Sequence, residues 1–133
     1  AFAWSQVKPA EIDLINIYQA SRQAMHQALA GLKQPFDLVL SDAMPLPDLA
    51  VPCVPIIRGD ALSASIAAAS VIAKVVRDDL MAEFDELYPG YGFGQHKGYG
   101  TPAHLKALRT LGPCAIHRRS FAPVKSWRST DED

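Results

Sequence analysis

Cysteine is scarce: the 133 residues hold two, Cys53 and Cys114. They lie far apart and fit neither zinc-site nor redox-motif spacing, which predicts reduced core thiols in a cytoplasmic protein. No apolar run is long enough to span a bilayer, and the start of the chain carries no basic-then-apolar signal pattern, so no membrane partner is expected. The Gly-x-x-x-x-Gly-Lys-Ser/Thr loop is absent, as are a Gly-x-Ser-x-Gly elbow, a His-Glu-x-x-His pair and a dinucleotide fingerprint. P-loop phosphate binding and those familiar hydrolase and redox chemistries are therefore not indicated. No internal repeat or linker is visible, and the length predicts one domain. Acid is lacking in one region above all. Residues 95–130 hold 7 Lys/Arg and no Asp or Glu, against 6 Lys/Arg and 11 Asp/Glu in residues 1–94. The net charge of −1, which includes three acids at 131–133, hides this asymmetry. An acidic half suits cations and a basic half suits phosphates, although a solvated basic surface would look the same.

The stretch 55–87 organises the rest. Ile56, Ile57 and Arg58 predict a short strand, Gly59 a turn, and Asp60 a carboxylate at the strand's C-terminal end. Ile66, Ala69, Ala73, Val76, Leu80, Phe84 and Leu87 then step by three or four, the period of one buried helical face. Small residues at 67–70 predict a helix lying close against a sheet. Upstream, residues 1–7 resemble the end of a strand. A helix is expected from about Ala10 to about Leu32, with Leu14, Tyr18, Met25, Leu29 and Leu32 buried and Gly31 and Pro35 ending it. Residues 36–41 predict a buried strand ending at Asp42. Four prolines between 43 and 55 predict an irregular connection. Residues 88–100 form a Gly- and Tyr-rich loop, neither helix nor central strand. Thr101-Pro102 starts a helix carrying Leu105, Leu108 and Leu111, and Gly112-Pro113 stops it. Residues 114–133 suggest a basic tail packed through Ile116 and Phe121. Two strands and a fragment are too few for a stable α/β sheet, so further strands are expected from elsewhere.

Asp42 and Asp60 each follow a short apolar strand. On adjacent strands they would converge, and close carboxylates favour a cation between them. Hard ions such as Mg²⁺ or Mn²⁺ take such oxygen ligands. Taken from pattern alone, both read first as turn or cap residues. In the glycine-rich loop, Lys97 suits a phosphate, Tyr99 offers a flat face to a sugar or base, and His96 sits beside them. A loop pinned by buried tyrosines is the alternative. His117-Arg118-Arg119-Ser120 could contact a nucleic-acid backbone or form a solvated turn. Asp78 and Asp79, beside Lys74 and Arg77, fit intrahelical ion pairs.

Together these stretches resemble bacterial ribonuclease HII. The similarity rests on E-I-D-L-I-N, D-L-V-L-S-D, R-G-D with S-I-A-A-A-S-V-I-A-K-V-V-R-D, Y-P-G-Y-G-F-G-Q-H-K-G-Y-G-T and H-R-R-S-F-A-P-V, in order through almost the whole chain. It implies a ribonuclease H-like α/β fold and an endonuclease cutting the RNA strand of RNA–DNA hybrids, including single ribonucleotides embedded in DNA. It implies Mn²⁺ or Mg²⁺ held by four acids, two of which map to Asp42 and Asp60. It implies that Tyr99 packs on a deoxyribose at the cleavage junction. His96, Lys97, Arg118 and Arg119 would bind substrate. A complete enzyme of this kind is expected to be monomeric, cytoplasmic and tied to DNA replication and repair.

Three departures stand out. Asp42-Ala43 replaces the usual Asp-Gly, and Arg58-Gly59-Asp60 the usual Lys-Gly-Asp. The family's N-terminal Asp-Glu pair and Gly-Arg-Gly loop are absent, and neither Asp85-Glu86 nor Asp131-Glu132 has the right context to replace them. The chain is thus expected to be the C-terminal two-thirds of such an enzyme, an incomplete fold lacking its first strands. The rival expectation is a non-catalytic fragment that binds metal or nucleic acid weakly.

Overall fold

The computed structural model describes residues 1–127; Arg128 and the acids at 131–133 lie outside the described residues. In chain order the elements are helix α1 (Pro9–Gly31), strands β1 (Val39–Asp42) and β2 (Cys53–Ile56), short helix α2 (Gly59–Leu62), long helix α3 (Ala64–Leu87), short helix α4 (Phe93–His96) and helix α5 (Pro102–Leu111). A 3-10 turn follows at Val124–Ser126. Helices mixed with a parallel strand pair agree with the expected α/β class. Contacts gather the chain into two units. One comprises Ala1–Val7 and Ile15–Lys74, the other Lys8–Leu14 with the residues from Val75 onward.

The first unit is built on the strand pair. β1 and β2 run parallel with Val39 opposite Cys53 and Asp42 opposite Ile56, so both end at one edge. Burial along β1 alternates: Val39 and Ser41 face in, Leu40 and Asp42 face out. The strand expected over 36–41 is therefore shorter and buried on one face only, the period-two pattern of a half-covered sheet. The strand expected at 56–58 lies upstream instead. Ile57 and Arg58 form a turn, and β2 begins at Cys53 with Pro55 inside it. The N–H groups of Val39 and Ala43 donate to the carbonyls of Pro52 and Ile56 at 3.0 and 2.9 Å. By that parity Val54 and Ile56 turn their backbone groups to β1, and Pro55 turns its N outward, where no donor is needed.

The helix expected as one piece after Gly59 is two. Ser63 interrupts it with extended dihedrals (φ −126°, ψ 123°), and its hydroxyl accepts from the Ile66 N–H at 3.4 Å. Ile66 is buried as expected, but Ala69, Ala73 and Leu87 are exposed. The small-residue face of α3 makes no close approach to a sheet among the described residues. At the N-terminus no strand forms. Ala3, Ser5 and Val7 are half-buried while Phe2, Trp4 and Gln6 are exposed, so the alternation expected of a strand is present without a ladder partner. α1 contains a kink at Asn16 (φ 70°, ψ 166°), whose side-chain oxygen accepts from the Gln19 N–H at 3.0 Å. Asn16 thus caps a second helical segment. The kink resets the helical phase, which is why Leu14 is 85 % exposed and Tyr18 48 % rather than part of one buried stripe.

The second unit has its core in Tyr91, Phe93, Leu108 and Val124, with three histidines, His96, His104 and His117, buried among them. The Tyr91 and Phe93 rings stack 5.2 Å apart. The glycine-rich loop is not wholly irregular, because α4 forms inside it between left-handed Gly92 and Lys97. α5 begins as expected: the Thr101 side chain accepts from the His104 N–H at 3.2 Å. Leu108 is buried, whereas Leu111 is exposed. Residues 113–127 form a series of turns anchored by His117 and Val124, not a tail held by Phe121, which is exposed. Both cysteines are free and half-buried, not core residues. No described helix is long and apolar enough to cross a membrane.

Candidate functional site

Asp42 is the last residue of β1 and is exposed. Behind it the buried Ser41 hydroxyl donates to the Met44 carbonyl, and the Met44 N–H donates to the Asp42 carbonyl at 2.8 Å, closing a tight turn. Ala43 takes φ 59° in that turn. One carboxylate oxygen of Asp42 accepts the Gly59 N–H at 3.0 Å. Asp60, the next residue, is exposed on the first turn of α2. Asp60 was expected at the tip of a strand. The turn falls at Ile57–Arg58 rather than at Gly59, so Asp60 sits on α2, past the end of β2, and the Gly59 before it lies against Asp42. Left-handed Arg58 (φ 53°) makes that turn, and Gly59 fits because a Cβ there would meet Ile66 Cδ1 at 2.6 Å and Asp42 Cα at 3.5 Å.

Two exposed carboxylates at the C-terminal edge of a parallel strand pair are the donor chemistry of a hard divalent cation, which commonly takes one or two carboxylates and completes its shell with water and phosphate oxygen. In kind, therefore, the residues fit Mg²⁺ or Mn²⁺. In number they stop at two. Among the described residues no group of three or more His, Cys, Asp or Glu could hold a metal ion.

The remaining candidates lie in the second unit. The Tyr99 ring is 62 % exposed. Its backbone is pinned: its N–H donates to the His96 carbonyl at 2.9 Å, and its carbonyl accepts from Thr101 N–H at 2.8 Å and faces His104 Nδ1 at 2.8 Å. Lys97 is half-buried with left-handed backbone. Arg77, on α3, donates to the Lys97 carbonyl at 2.9 Å and holds its guanidinium 5.8 Å from the Tyr99 ring centroid. His96 was expected to face a ligand. It is buried, its Nε2 meets the Tyr91 carbonyl at 2.7 Å, and its Nδ1 accepts the Gly98 N–H at 3.1 Å. Both ring nitrogens are committed to shaping the loop.

His117 is likewise buried, not presented to a backbone. Arg118 is half-buried with its guanidinium 3.8 Å over the Phe121 ring. Burial, and then the nearby charge of Arg77, pull its pKa below the usual arginine value, while Asp13 pushes the other way. Arg119 is exposed. The Arg119 and Ser120 N–H groups and the Ser120 hydroxyl all donate to the Asp13 carboxylate, the backbone bonds at 2.7 and 2.9 Å. These bonds hold Asp13 below the ordinary carboxylate pKa, Ser120 contributing most.

Sequence reasoning passed over Arg77, Asp13 and His104. Arg77 fitted an ion pair with its helix neighbours, and no local pattern shows that it reaches a loop 20 residues on. For Asp13, only the segment in which it lies, E-I-D-L-I-N, was singled out, and without a role.

The ribonuclease HII family model matches residues 2–124. Ribonuclease HII of Desulfitobacterium hafniense strain Y51 is 58% identical over 124 residues, covering 93% of this chain and 48% of that protein. That of Syntrophomonas wolfei is 52% identical over 128 residues, covering 95% and 50%. That of Chlamydia caviae is 56% identical over 119 residues, covering 90% and 56%. The chain thus spans about half the length of the curated relatives it matches. A match over nearly all of the described residues, at more than half identity, leaves one conclusion: the chain belongs to the ribonuclease HII family.

Proposed function

We propose that the chain is the C-terminal portion of a type II ribonuclease H, an endonuclease that hydrolyses the RNA strand of RNA–DNA hybrids and cuts at single ribonucleotides embedded in duplex DNA. The observation that carries the reading is the hydrogen bond from Gly59 N–H to the Asp42 carboxylate, which brings the residue next to Asp60 onto Asp42 at the end of β1. A divalent ion, Mn²⁺ or Mg²⁺, bound there would polarise the phosphodiester and activate water for its hydrolysis. Asp42 and Asp60 supply anionic oxygen and hold that edge of the sheet electronegative. Tyr99 offers its exposed ring to a sugar, and Lys97, Arg77, Arg118 and Arg119 supply positive charge for backbone phosphates. The enzyme works as a soluble monomer in the cytoplasm.

The test is hydrolysis of a duplex with one embedded ribonucleotide, in Mn²⁺ and in Mg²⁺, by an enzyme extended to the relatives' full length. Asp60→Asn should lower turnover by roughly a hundredfold or more and spare hybrid binding. Undiminished turnover would remove Asp60 from the chemistry.

A second reading is favoured by the donor count. With two carboxylates and about half the length of its relatives, the 133-residue chain alone binds substrate weakly and cuts nothing. Cleavage by that chain without any added segment would overturn this reading.

A further inference from the structure

Three buried histidines lie beneath the loop that carries Tyr99, and the partners of two of them fix a single arrangement of protons. A carbonyl oxygen only accepts, so His104 Nδ1, 2.8 Å from the Tyr99 carbonyl, carries a hydrogen. In a neutral ring His104 Nε2 is then an acceptor. Facing it at 3.1 Å is His117 Nε2. At the other end of that ring, a backbone N–H only donates, so His117 Nδ1, 3.0 Å from the Cys114 N, is an acceptor. His117 Nε2 therefore carries the hydrogen and donates to His104. The two requirements, set independently at opposite ends, meet at the central bond without conflict.

The chain of bonds runs from the turn at 114–117, through two imidazoles, to the Tyr99 backbone. The Cys114 Sγ lies 3.1 Å from the same His117 nitrogen, and the His117 N–H donates back to the Cys114 carbonyl at 3.1 Å, so the far end is itself held. His96 stacks on His104 with centroids 4.1 Å apart and planes 9° from parallel, and its own tautomer is set by Tyr91 and Gly98. Phe93 closes the cluster with its ring centroid 5.6 Å from all three.

We propose that His104 and His117 are positioning residues for Tyr99: as a neutral, tautomer-matched pair they tie its backbone carbonyl to the turn at Cys114 and thereby set the place of its exposed ring. An extra proton on either ring would aim an N–H at another N–H, at His117 or at the Cys114 amide, and break the tie. What the ring meets there, a sugar of the duplex, rests on the ribonuclease reading above; the wiring itself does not.

Long-range proton–nitrogen correlation spectra of the ¹⁵N-labelled 133-residue chain at neutral pH test the wiring directly. His104 should be the Nδ1–H tautomer, and His117 and His96 the Nε2–H tautomer. His104 found as Nε2–H, or found charged, would overturn the proposal. His104→Ala should shift the Tyr99 ring and amide resonances. His104→Asn, whose amide nitrogen occupies nearly the position of Nδ1, should restore them. Unmoved Tyr99 signals in His104→Ala would also overturn it, and if that variant fails to fold, the tautomers of the parent chain still decide. In binding to a duplex with one embedded ribonucleotide, Tyr99→Ala should weaken affinity about tenfold. His104→Ala should weaken it comparably, with little further loss in the double variant. Should Tyr99→Ala bind as the parent does, the sugar contact fails, while the tautomers and Tyr99 shifts still judge the positioning.

Discussion

Gly59 gives its backbone N–H to the Asp42 carboxylate at 3.0 Å, which joins the end of β1 to the residue before Asp60. The bond requires an oxygen on residue 42, not a charge. Asp42→Asn should therefore keep the turn and unfold within about 1 kcal/mol of the parent, whereas Asp42→Ala, which strips the acceptor, should cost about 1 kcal/mol or more. Both should weaken Mn²⁺ binding, measured by calorimetric titration. Equal Mn²⁺ affinity in the parent and in Asp42→Asn would separate the structural bond from any metal role.

Ala43 sits at φ 59°, where an L side chain is strained and glycine is not. Ala43→Gly relieves that strain but loosens the unfolded chain. The balance should favour the variant by about 0.5–1 kcal/mol in urea unfolding, since the left-handed penalty of about 1–2 kcal/mol exceeds the entropy returned. A lower midpoint in Ala43→Gly would mean that the turn is held in some other way.

His104 and His117 both have pKa values lowered from the ordinary histidine value of 6.5, chiefly by burial. The charges and titratable groups around them are His96, Cys114, Tyr91 and Arg119; of these, His96 and Arg119 add repulsion to an imidazolium. A lowered folded pKa means that the unfolded chain takes up protons first. The contribution to stability is thus complete above pH 6.5 and declines as pH falls below it, until the folded pKa values are passed. Urea midpoints should drop between pH 7.5 and about 5.5. The drop should shrink in a His104→Asn, His117→Gln double variant.

Asp13 gives a separate acid step. Its folded pKa is lowered from 3.8, so its contribution holds above that value and fades as pH falls through the folded value. Asp13→Ala removes the acceptor of two backbone donors in the turn at 118–120. Amide exchange of Arg119 and Ser120 should quicken by about tenfold or more, while Leu108, at the centre of α5, should change little.

Arg77→Ala should loosen the Lys97 carbonyl and remove a positive charge from beside Tyr99. If the duplex reading is right, hybrid affinity falls and the salt slope of log K flattens by about one unit, the signature of one lost phosphate contact. An unchanged slope would confine Arg77 to holding the loop.

What was legible in the sequence was what short-range chemistry decides. Thr101-Pro102 and Gly112 bracket α5 because capping and proline act within one turn. Two short apolar strands ahead of Asp42 and Asp60 were legible as well, but their adjacency was only a condition there, and the parallel pairing of β1 with β2 is the structure's own. Where an element's outcome depended on distant neighbours, pattern misled. The stripe through Leu14 and Tyr18 was broken by Asn16, a polar residue that could have been taken as a cap. The prolines at 52 and 55 argued against a strand that forms because Pro55 faces away from β1. His96 and His117 looked available because nothing local reveals that Phe93 and Tyr91 gather against them. Arg77 and Asp13 act across 20 and 106 positions, separations that no periodicity encodes.

Pro55 also makes the small sheet lopsided. On the outer rim of β2 the one N–H that would point away at mid-strand does not exist, so a newcomer strand aligned there would leave a carbonyl unanswered. The outer rim of β1 carries no proline, so Leu40 offers both an N–H and a carbonyl there, while the Asp42 carbonyl already accepts the Met44 N–H. Growth of this sheet, whether by a segment of a longer polypeptide or by unwanted self-association at high concentration, is directed to the side of Val39 and Leu40.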